Sequence, residues 1–283
     1  MPETIIRDVS DTALWIAAYR EQETARPDAL FRDPLAGRLV GNKGRDIAET
    51  MGRGNFIAWM IVVRTRIIDA FIGELVADGV DGVLNLGAGL DTRPYRLDFL
   101  PPALLWLEVD YPNIIDLKED RLRGERPRCR LERVSLDLAD RSSRNKLFAD
   151  VSSRCQKVLV LTEGVIPYLK NEQVASLADD LHAHDNFRFW IADYFAPALL
   201  RLVRWGGLAR RRMKNAPFQF SPGDPFSFFN KHGWKERETR YLVPESKKLG
   251  RPAPLPWWAN LLFAVLPART RNTFRGYTLF ERD

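Results

Sequence analysis

The sequence predicts an α/β fold: a mostly parallel sheet of seven strands with helices on both faces. Three observations favour this fold. From residue 82 onward, short apolar runs alternate with amphipathic stretches, a rhythm typical of parallel strands joined by helices. Two late apolar runs would close the sheet as an antiparallel pair. No internal repeat or low-complexity linker divides the 283 residues, so we expect a single domain.

The N-terminal part, residues 1–78, is predicted to form a helical cap. Residues 12–22 and 56–76 have the clearest helical patterns, and in the second range apolar side chains recur every three or four positions. Pro27 and Pro34 interrupt the pattern between these two helices. Gly37, Gly41 and Gly44 are interpreted as loop positions, because glycine commonly breaks a helical pattern.

Residues 79–198 are predicted to form the core of the sheet. Apolar runs predict strands at residues 83–86, 104–109, 129–136, 158–161 and 187–192. Amphipathic stretches between them predict helices at residues 112–123, 141–151 and 171–183. Residues 199–234 break this rhythm and are interpreted as an inserted lid. Residues 235–283 supply a helix and the closing strands, near 237–242 and 273–280.

Composition indicates the cellular setting. The chain is 45% hydrophobic and 28% charged, which is ordinary for a soluble globular protein. Two cysteines, Cys129 and Cys155, are too few for a disulfide framework, which favours a reducing compartment and predicts a cytoplasmic location. Residues 1–12 carry no apparent cleavable signal. The apolar range 257–266 is about half the length that spans a bilayer, so it predicts a buried helix or an interfacial contact.

The net charge of +6 is due mainly to arginine. The densest basic cluster lies in the predicted lid and comprises Arg201, Arg204, Arg210, Arg211, Arg212 and Lys214. Two interpretations stay open: a solvated surface, or a surface that captures an anionic substrate or an acidic carrier protein. Nucleic acid is disfavoured, because no recognition motif and no regular aromatic interleaving are present.

Acidic residues follow the predicted strands. Each of the five core strands is followed, within a few residues, by one of Asp91, Asp110, Asp137, Glu163 and Asp193. Because ligands of open α/β sheets bind beyond the carboxyl ends of the strands, we expect these acids on one rim. No cluster of residues with metal-ligand spacing accompanies them, so no metal site is predicted.

The turn after the first strand contains Gly87 and Gly89, which let the backbone approach a ligand closely. The dinucleotide fingerprint needs a third glycine where Thr92 stands, and no phosphate-binding Gly-Lys-Ser or Gly-Lys-Thr loop occurs. An acidic rim would also repel a diphosphate. S-adenosylmethionine fits better, since it has no phosphate and carries a sulfonium cation and an ammonium group.

Two of the rim acids have the placement expected for nucleoside recognition. Asp110 lies 21 residues after Gly89, the spacing at which an acid reaches ribose hydroxyls. Alternatively, Asp110 caps the helix that begins near Pro112. Asp137 would accept from the adenine amino group while Leu138 packs on the ring; alternatively, Asp137 is an N-cap or turn aspartate.

Residues 83–93, with the sequence VLNLGAGLDTR, resemble the signature of the leucine carboxyl methyltransferase superfamily. That group includes protein-phosphatase carboxyl methyltransferases and many bacterial methyltransferases acting on polyketides and other small molecules. Further similar segments are EVDYP, SLDL, TEGVIPYL, RPDALF, DPLA and RTR, at residues 108–112, 135–138, 162–169, 26–31, 33–36 and 64–66. The resemblance covers roughly residues 10–195 and the final strand, but not the basic segment. It implies a Rossmann-like class I methyltransferase.

The resemblance also implies roles for individual residues. Gly87 would lie beside the methionine part of the cofactor, with Glu163 near the same end, and Arg64 would pair with the cofactor carboxylate. Arg66 competes for that last role. Asp110 would bind the ribose, and Asp137 with Leu138 the adenine. The remaining predicted cofactor-binding residues are Ala88, Gly89, Tyr111 and Gly164. Asn85 stands where an aspartate is more usual, which keeps an acceptor but removes a charge.

The methyl acceptor determines which further residues are needed. A carboxylate is already ionised at neutral pH and needs no general base, whereas a phenol or hydroxyl would use one, for which Asp193 and Tyr194 are the candidates. Tyr19 and Arg20 would form a lid, or Tyr19 would anchor its helix. Aromatic residues of the predicted lid would wall the substrate pocket or form ordinary core: Phe218, Phe220, Phe226, Phe228 and Phe229. The histidines, His182, His184 and His232, are expected to be structural or solvated.

Three functions are compatible with these observations. The favoured one is an O-methyltransferase of small acidic or aromatic molecules, most simply a carboxylate of a secondary metabolite such as a polyketide. The second is a protein carboxyl methyltransferase that acts on a C-terminus. The third is a regulatory protein that binds the cofactor without turnover.

Overall fold

The computed structural model describes residues 9–50, 55–197, 218–255 and 272–283, together with positions 267 and 270. The basic cluster between Arg201 and Lys214 lies outside these residues. So do the apolar range 257–266 and most of the predicted lid. No helix among the described residues combines the length and the apolar composition that crossing a bilayer requires.

One seven-stranded sheet organises the described residues. Its strands, in chain order, are β1 Gly82–Leu86, β2 Leu105–Asp110, β3 Arg130–Ser135, β4 Val158–Thr162, β5 Phe187–Phe195, β6 Trp234–Tyr241 and β7 Arg275–Arg282. The spatial order is β3-β2-β1-β4-β5-β7-β6. β1 to β5 are parallel, and β7 runs antiparallel to both β5 and β6. The predicted α/β fold with an antiparallel closing pair is therefore confirmed.

Helices cover both faces of this sheet. In chain order they are α1 Val9–Thr24, α2 Ala36–Thr50, α3 Asn55–Ala77, α4 Arg93–Arg96, α5 Pro112–Arg121, α6 Arg141–Arg154, α7 Asn171–His182, α8 Pro225–Asn230 and α9 Leu242–Lys248. On one face, Phe148 and Leu177 pack with Trp190 of β5. On the other, Phe71 packs with Trp106 of β2. Burying each such large apolar side chain contributes about 1.5–3 kcal/mol.

The prediction that Gly37, Gly41 and Gly44 lie in loops is wrong, because all three lie within α2. Gly41 has a φ of 59° and marks a kink where two helical segments meet. Gly44 lies where a Cβ would come within 3.1 Å of the Leu14 carbonyl oxygen of α1. Close packing of two helices, rather than a turn, therefore accounts for this glycine.

Candidate functional site

A cavity of about 330 Å³ lies at the carboxyl ends of the parallel strands. Its lining includes all five acids that follow the core strands: Asp91, Asp110, Asp137, Glu163 and Asp193. Gly87, Ala88, Gly89, Tyr111, Leu138 and Gly164 line it as well. The parallel topology thus brings the predicted rim together in one cavity, at the place where α/β sheets bind ligands.

The side chain of Asp110 stabilises the glycine turn that follows β1. The Gly89 N–H donates to Asp110 Oδ2 at 2.6 Å, and the Tyr111 N–H donates to Asp110 Oδ1 at 2.7 Å. Tyr111, not Asp110, is the N-cap residue of α5, so the capping alternative for Asp110 is wrong. Burial raises the pKa of Asp110, although the two backbone donors oppose that rise.

Both the backbone conformation and the close packing at position 87 favour glycine. Its φ of 68° lies in the left-handed region, and a Cβ would lie 2.4 Å from Cγ2 of Val165. We predict that Gly87→Ala lowers the free energy of unfolding by about 1–3 kcal/mol, from backbone strain and this clash. Thermal unfolding checks this, with Gly87→Ala/Val165→Ala as the matched variant that removes the clash. A Gly87→Ala protein as stable as the parent would contradict the prediction.

Asp137 lies at the exposed end of the cavity. Its Oδ1 accepts from the Ala139 N–H at 2.9 Å and lies 3.5 Å from the Tyr111 hydroxyl. Asp140, not Asp137, caps α6, so the N-cap alternative for Asp137 is wrong and the turn alternative describes its backbone contact. Leu138 lines the cavity beside it, and its carbonyl accepts from Arg144 at 2.7 Å.

A buried network of charges lies behind Glu163. Arg64 pairs with Glu163 at 2.9 Å, and Arg93 pairs with Glu163 at 2.7 Å. Arg93 also contacts Asp91 at 3.0 Å and Asp69 at 2.7 Å. Burial opposes ionisation of Glu163, but Arg93 and Arg64 outweigh it and lower its pKa. Glu163 is therefore ionised at neutral pH.

The network contains residues that sequence reasoning missed, namely Asp69, Arg93 and Arg96. Arg96 donates to both Asp69 oxygens, at 2.7 and 2.8 Å. Asn85, the unusual residue before the glycine turn, donates to Asp91 at 3.0 Å. Its amide therefore binds a carboxylate of the network. The sequence did contain one signal for this network: Arg93 is the last residue of the VLNLGAGLDTR segment.

Arg64 lines the cavity, whereas Arg66 is absent from its lining. Position therefore favours Arg64 of the two candidates for a carboxylate partner. Arg20 of α1 also lines the cavity and bonds to Asp33 at 2.9 Å and to the Leu90 carbonyl. Tyr19 is buried away from the lining, which agrees with the anchoring alternative rather than a lid.

Of the two residues predicted as a general base, one lines the cavity and the other does not. Asp193 is buried and lines the cavity, and its Oδ2 accepts from the Gly164 N–H at 2.7 Å. Burial raises the pKa of Asp193, while Arg275 and Arg64 oppose that rise. Tyr194 does not line the cavity; its ring stacks on Phe226, with centroids 5.1 Å apart. The assignment of Tyr194 as a base is corrected, because successive strand side chains face opposite sides of a sheet.

The aromatic residues predicted as a pocket wall are mostly core. Phe220 and Phe229 are buried in the cluster around Trp190, and Phe226 and Phe228 pack against it. Of the five, only Phe218 lines the main cavity. His182 bonds to Asp283 and His232 to Asp179, so both have structural partners. The described residues contain no group of acids, histidines and cysteines placed to bind a metal.

Fold and cavity together define a Rossmann-like α/β protein with an acidic cavity at the carboxyl ends of its parallel strands. The family model for leucine carboxyl methyltransferase matches residues 13–182. The chain belongs to this family. A Frankia alni protein named as an S-adenosyl-L-methionine-dependent methyltransferase is 35% identical over 262 residues, covering 87% of this chain and 88% of that one. A Mycobacteroides abscessus protein of the same name is 26% identical over 272 residues, covering 88% and 90%.

Solved structures share the architecture. A DUF574 family protein from Streptomyces avermitilis has a TM-score of 0.59 at 14% identity, covering 94% of this chain and 97% of that one. A protein from Thermobifida fusca described as a methyltransferase also has a TM-score of 0.59 at 14% identity, with coverage of 99% and 97%. These likenesses confirm the fold.

Proposed function

We propose that the protein is an S-adenosylmethionine-dependent O-methyltransferase of a small-molecule acceptor, a carboxylate or a phenol or hydroxyl of a secondary metabolite. The supporting observation is the cavity itself, where a glycine turn held by Asp110 meets a ring of carboxylates. Such a site suits a cationic nucleoside without phosphates. Membership of the leucine carboxyl methyltransferase family points to the same chemistry.

The order of residues along the rim matches the parts of this cofactor. From β3 to β4 the rim presents Asp137, then Asp110, then Gly87, then Glu163. Asp137 and Leu138 would hold the adenine, Asp110 the ribose hydroxyls, and the open turn at Gly87 the methionine part.

The methionine end fits because Arg64 and Glu163 already form an ion pair beside the turn. A zwitterionic amino acid presents the complementary pair, with its ammonium group for Glu163 and its carboxylate for Arg64. Nε of Arg64 is buried without a partner among the described residues, which leaves it able to donate to such a carboxylate.

S-adenosylmethionine, when bound, supplies an electrophilic methyl group. The protein contributes orientation and exclusion of water, which suffice for an ionised carboxylate acceptor. A hydroxyl acceptor would give its proton to a carboxylate oxygen of Asp193. The burial that raises the pKa of Asp193 makes it a stronger base than an exposed aspartate.

Calorimetry tests the cofactor assignment. We expect S-adenosylmethionine and S-adenosylhomocysteine to bind in the micromolar range and NAD not to bind, because the rim acids repel a diphosphate. Binding of NAD without binding of the other two would overturn the proposal. Transfer of a labelled methyl group to small carboxylic acids and phenols, with C-terminal peptides in parallel, then tests the acceptor class. Labelling of the peptides alone would instead favour a protein carboxyl methyltransferase.

A further inference from the structure

Arg275 occupies a distinct end of the cavity. It begins β7, opposite Phe195 in the antiparallel pairing of β5 and β7. Because β7 runs antiparallel, its first residue lies at the same edge as the carboxyl ends of the parallel strands. Arg275 therefore extends the rim beyond β5, and it lines the cavity. The rim thus runs from carboxylates at β3 and β2 to a cation at β7.

The guanidinium of Arg275 differs from the other arginines of the site in its partners. Arg64 and Arg93 each pair with buried carboxylates. Within the described ranges, no carboxylate forms an ion pair with Arg275, and its Nε is buried without an acceptor. One terminal nitrogen donates to Met60 Sδ at 3.3 Å, and a thioether is a weak acceptor. A buried donor without a partner at the cavity is available to a ligand.

An aromatic wall adjoins this cation, formed by Phe195, Phe218 and Tyr168. The guanidinium carbon of Arg275 lies 4.5 Å from the centroid of the Phe195 ring. Phe218 contacts both of the other rings, with centroids 5.5 Å from Phe195 and 5.3 Å from Tyr168. All three rings line the cavity. Stacking on Phe195 holds the guanidinium plane, which favours capture of a planar carboxylate.

Asp193 is a carboxylate on which Arg275 acts electrostatically, because Arg275 opposes the rise of its pKa. Its Oδ2 is engaged by the Gly164 N–H, and it forms no ion pair with Arg275 among the described residues. Arg275 thus offsets part of the charge of Asp193 without contacting it, and its Nε, which has no acceptor among the described residues, can donate to a ligand.

We propose that Arg275 anchors the carboxylate of the acceptor, and that the aromatic wall holds a planar apolar body attached to it. This inference rests on the proposed function and names its substrate class as arene carboxylates. Arg275 is thus a specificity-determining residue for the acceptor. The cofactor parts would lie towards β1, β2 and β3, whereas Arg275 lies at β7, so the two ligands would occupy different ends of the rim.

Saturation-transfer NMR in the presence of S-adenosylhomocysteine tests the inference. The probes are benzoate and naphthoate, each compared with its amide. We expect at least one acid to bind the parent protein about tenfold to a hundredfold more tightly than its amide, the loss expected for a charge-assisted hydrogen bond. Arg275→Gln should abolish this preference, and Arg275→Lys should retain part of it.

Arg282→Gln is the matched control. Arg282 lies on the same strand, outside the cavity lining, and contacts the His182 carbonyl, so its loss should leave the preference unchanged. Equal binding of acids and amides by the parent, or an acid preference that survives Arg275→Gln, would overturn the inference.

Calorimetry with S-adenosylhomocysteine distinguishes failure of the proposed function from failure of the role of Arg275. A parent protein that does not bind it contradicts the proposed function. A parent and an Arg275→Gln variant that bind it equally, without any acid preference in the parent, leave the proposed function standing and contradict the role of Arg275.

Discussion

Replacing Arg93 by methionine should lower the free energy of unfolding by about 3–5 kcal/mol, because it leaves buried carboxylates without their shared partner. The Arg93 side chain pairs with Asp69, Asp91 and Glu163. Asp69 keeps Arg96 and Glu163 keeps Arg64, but Asp91 loses its one ion-pair partner among the described residues and keeps a side-chain hydrogen bond from Asn85. Asp91 therefore contributes most of the expected loss.

Thermal and urea unfolding measure this loss. The corresponding decrease in Tm is roughly 6–20 °C for a chain of this size. Arg123→Met is the matched control, because Arg123 pairs with Asp120 at the surface, where both side chains are more than 70% exposed. That pair contributes little. A loss for Arg93→Met no larger than the control loss would show that the network does not stabilise the fold.

The pH dependence of the Arg93→Met effect follows from the same contacts. Burial opposes ionisation of Asp91, but Arg93 and its other cationic neighbours lower its pKa. A lowered pKa stabilises the folded state above the unfolded value of about 3.9, and this stability is lost as the pH falls through the folded pKa. Arg93 is the cation that lowers the pKa of Asp91 most, so its removal raises that pKa. The variant should therefore be most destabilised near neutral pH, and the difference from the parent should shrink as the pH falls.

The sheet could be predicted because its signals are local. The core strands other than β3 are mostly apolar runs, and a carboxylate lies at, or within a few residues of, the carboxyl end of each core strand. Parallel topology then places these acids at one edge without any knowledge of distances. The parallel part of the sheet and the acidic cavity follow from these two steps.

The network around Arg93 could not be predicted in the same way. Asp69 lies on α3 and Arg93 on α4, 24 residues apart, and their 2.7 Å contact exists only once both helices pack on the sheet. A sequence shows both charges but not the distance between them. Gly44 was misinterpreted for a related reason, because a glycine needed for close helix packing looks like a glycine in a turn.

Tyr194 is a different case, since the signal was present. Asp193 and Tyr194 are adjacent in a strand, so only one of them can face the cavity. The register pairs Asp193 with Tyr277, and both side chains are buried on the same side as the cavity network. Strand alternation alone was sufficient to exclude one of the two.

Replacing Asp110 by alanine should weaken the binding of S-adenosylhomocysteine by about tenfold to a hundredfold for each ribose hydrogen bond that is lost. The change also releases the Gly89 N–H, which now donates to Asp110 Oδ2. Asp110→Asn separates these two effects, since the amide oxygen can still accept from Gly89 but carries no charge. Asp137→Ala is the comparison on the same rim; its exposed carboxylate should contribute less. Calorimetry measures all three variants, and unchanged affinity in Asp110→Ala would refute the ribose assignment.

Titration of the Asp110 carboxylate should make cofactor binding depend on pH. Burial raises the pKa of Asp110 above that of an exposed aspartate. Ribose hydroxyls donate to the ionised form, so binding stabilises that form and releases a proton when the pH is near this pKa. Affinity for S-adenosylhomocysteine should therefore fall as the pH is lowered through the pKa of Asp110. Asp110→Asn cannot titrate, so its affinity should be weaker at neutral pH but should lose this dependence. A parent and a variant with parallel pH profiles would place the titrating group elsewhere on the rim.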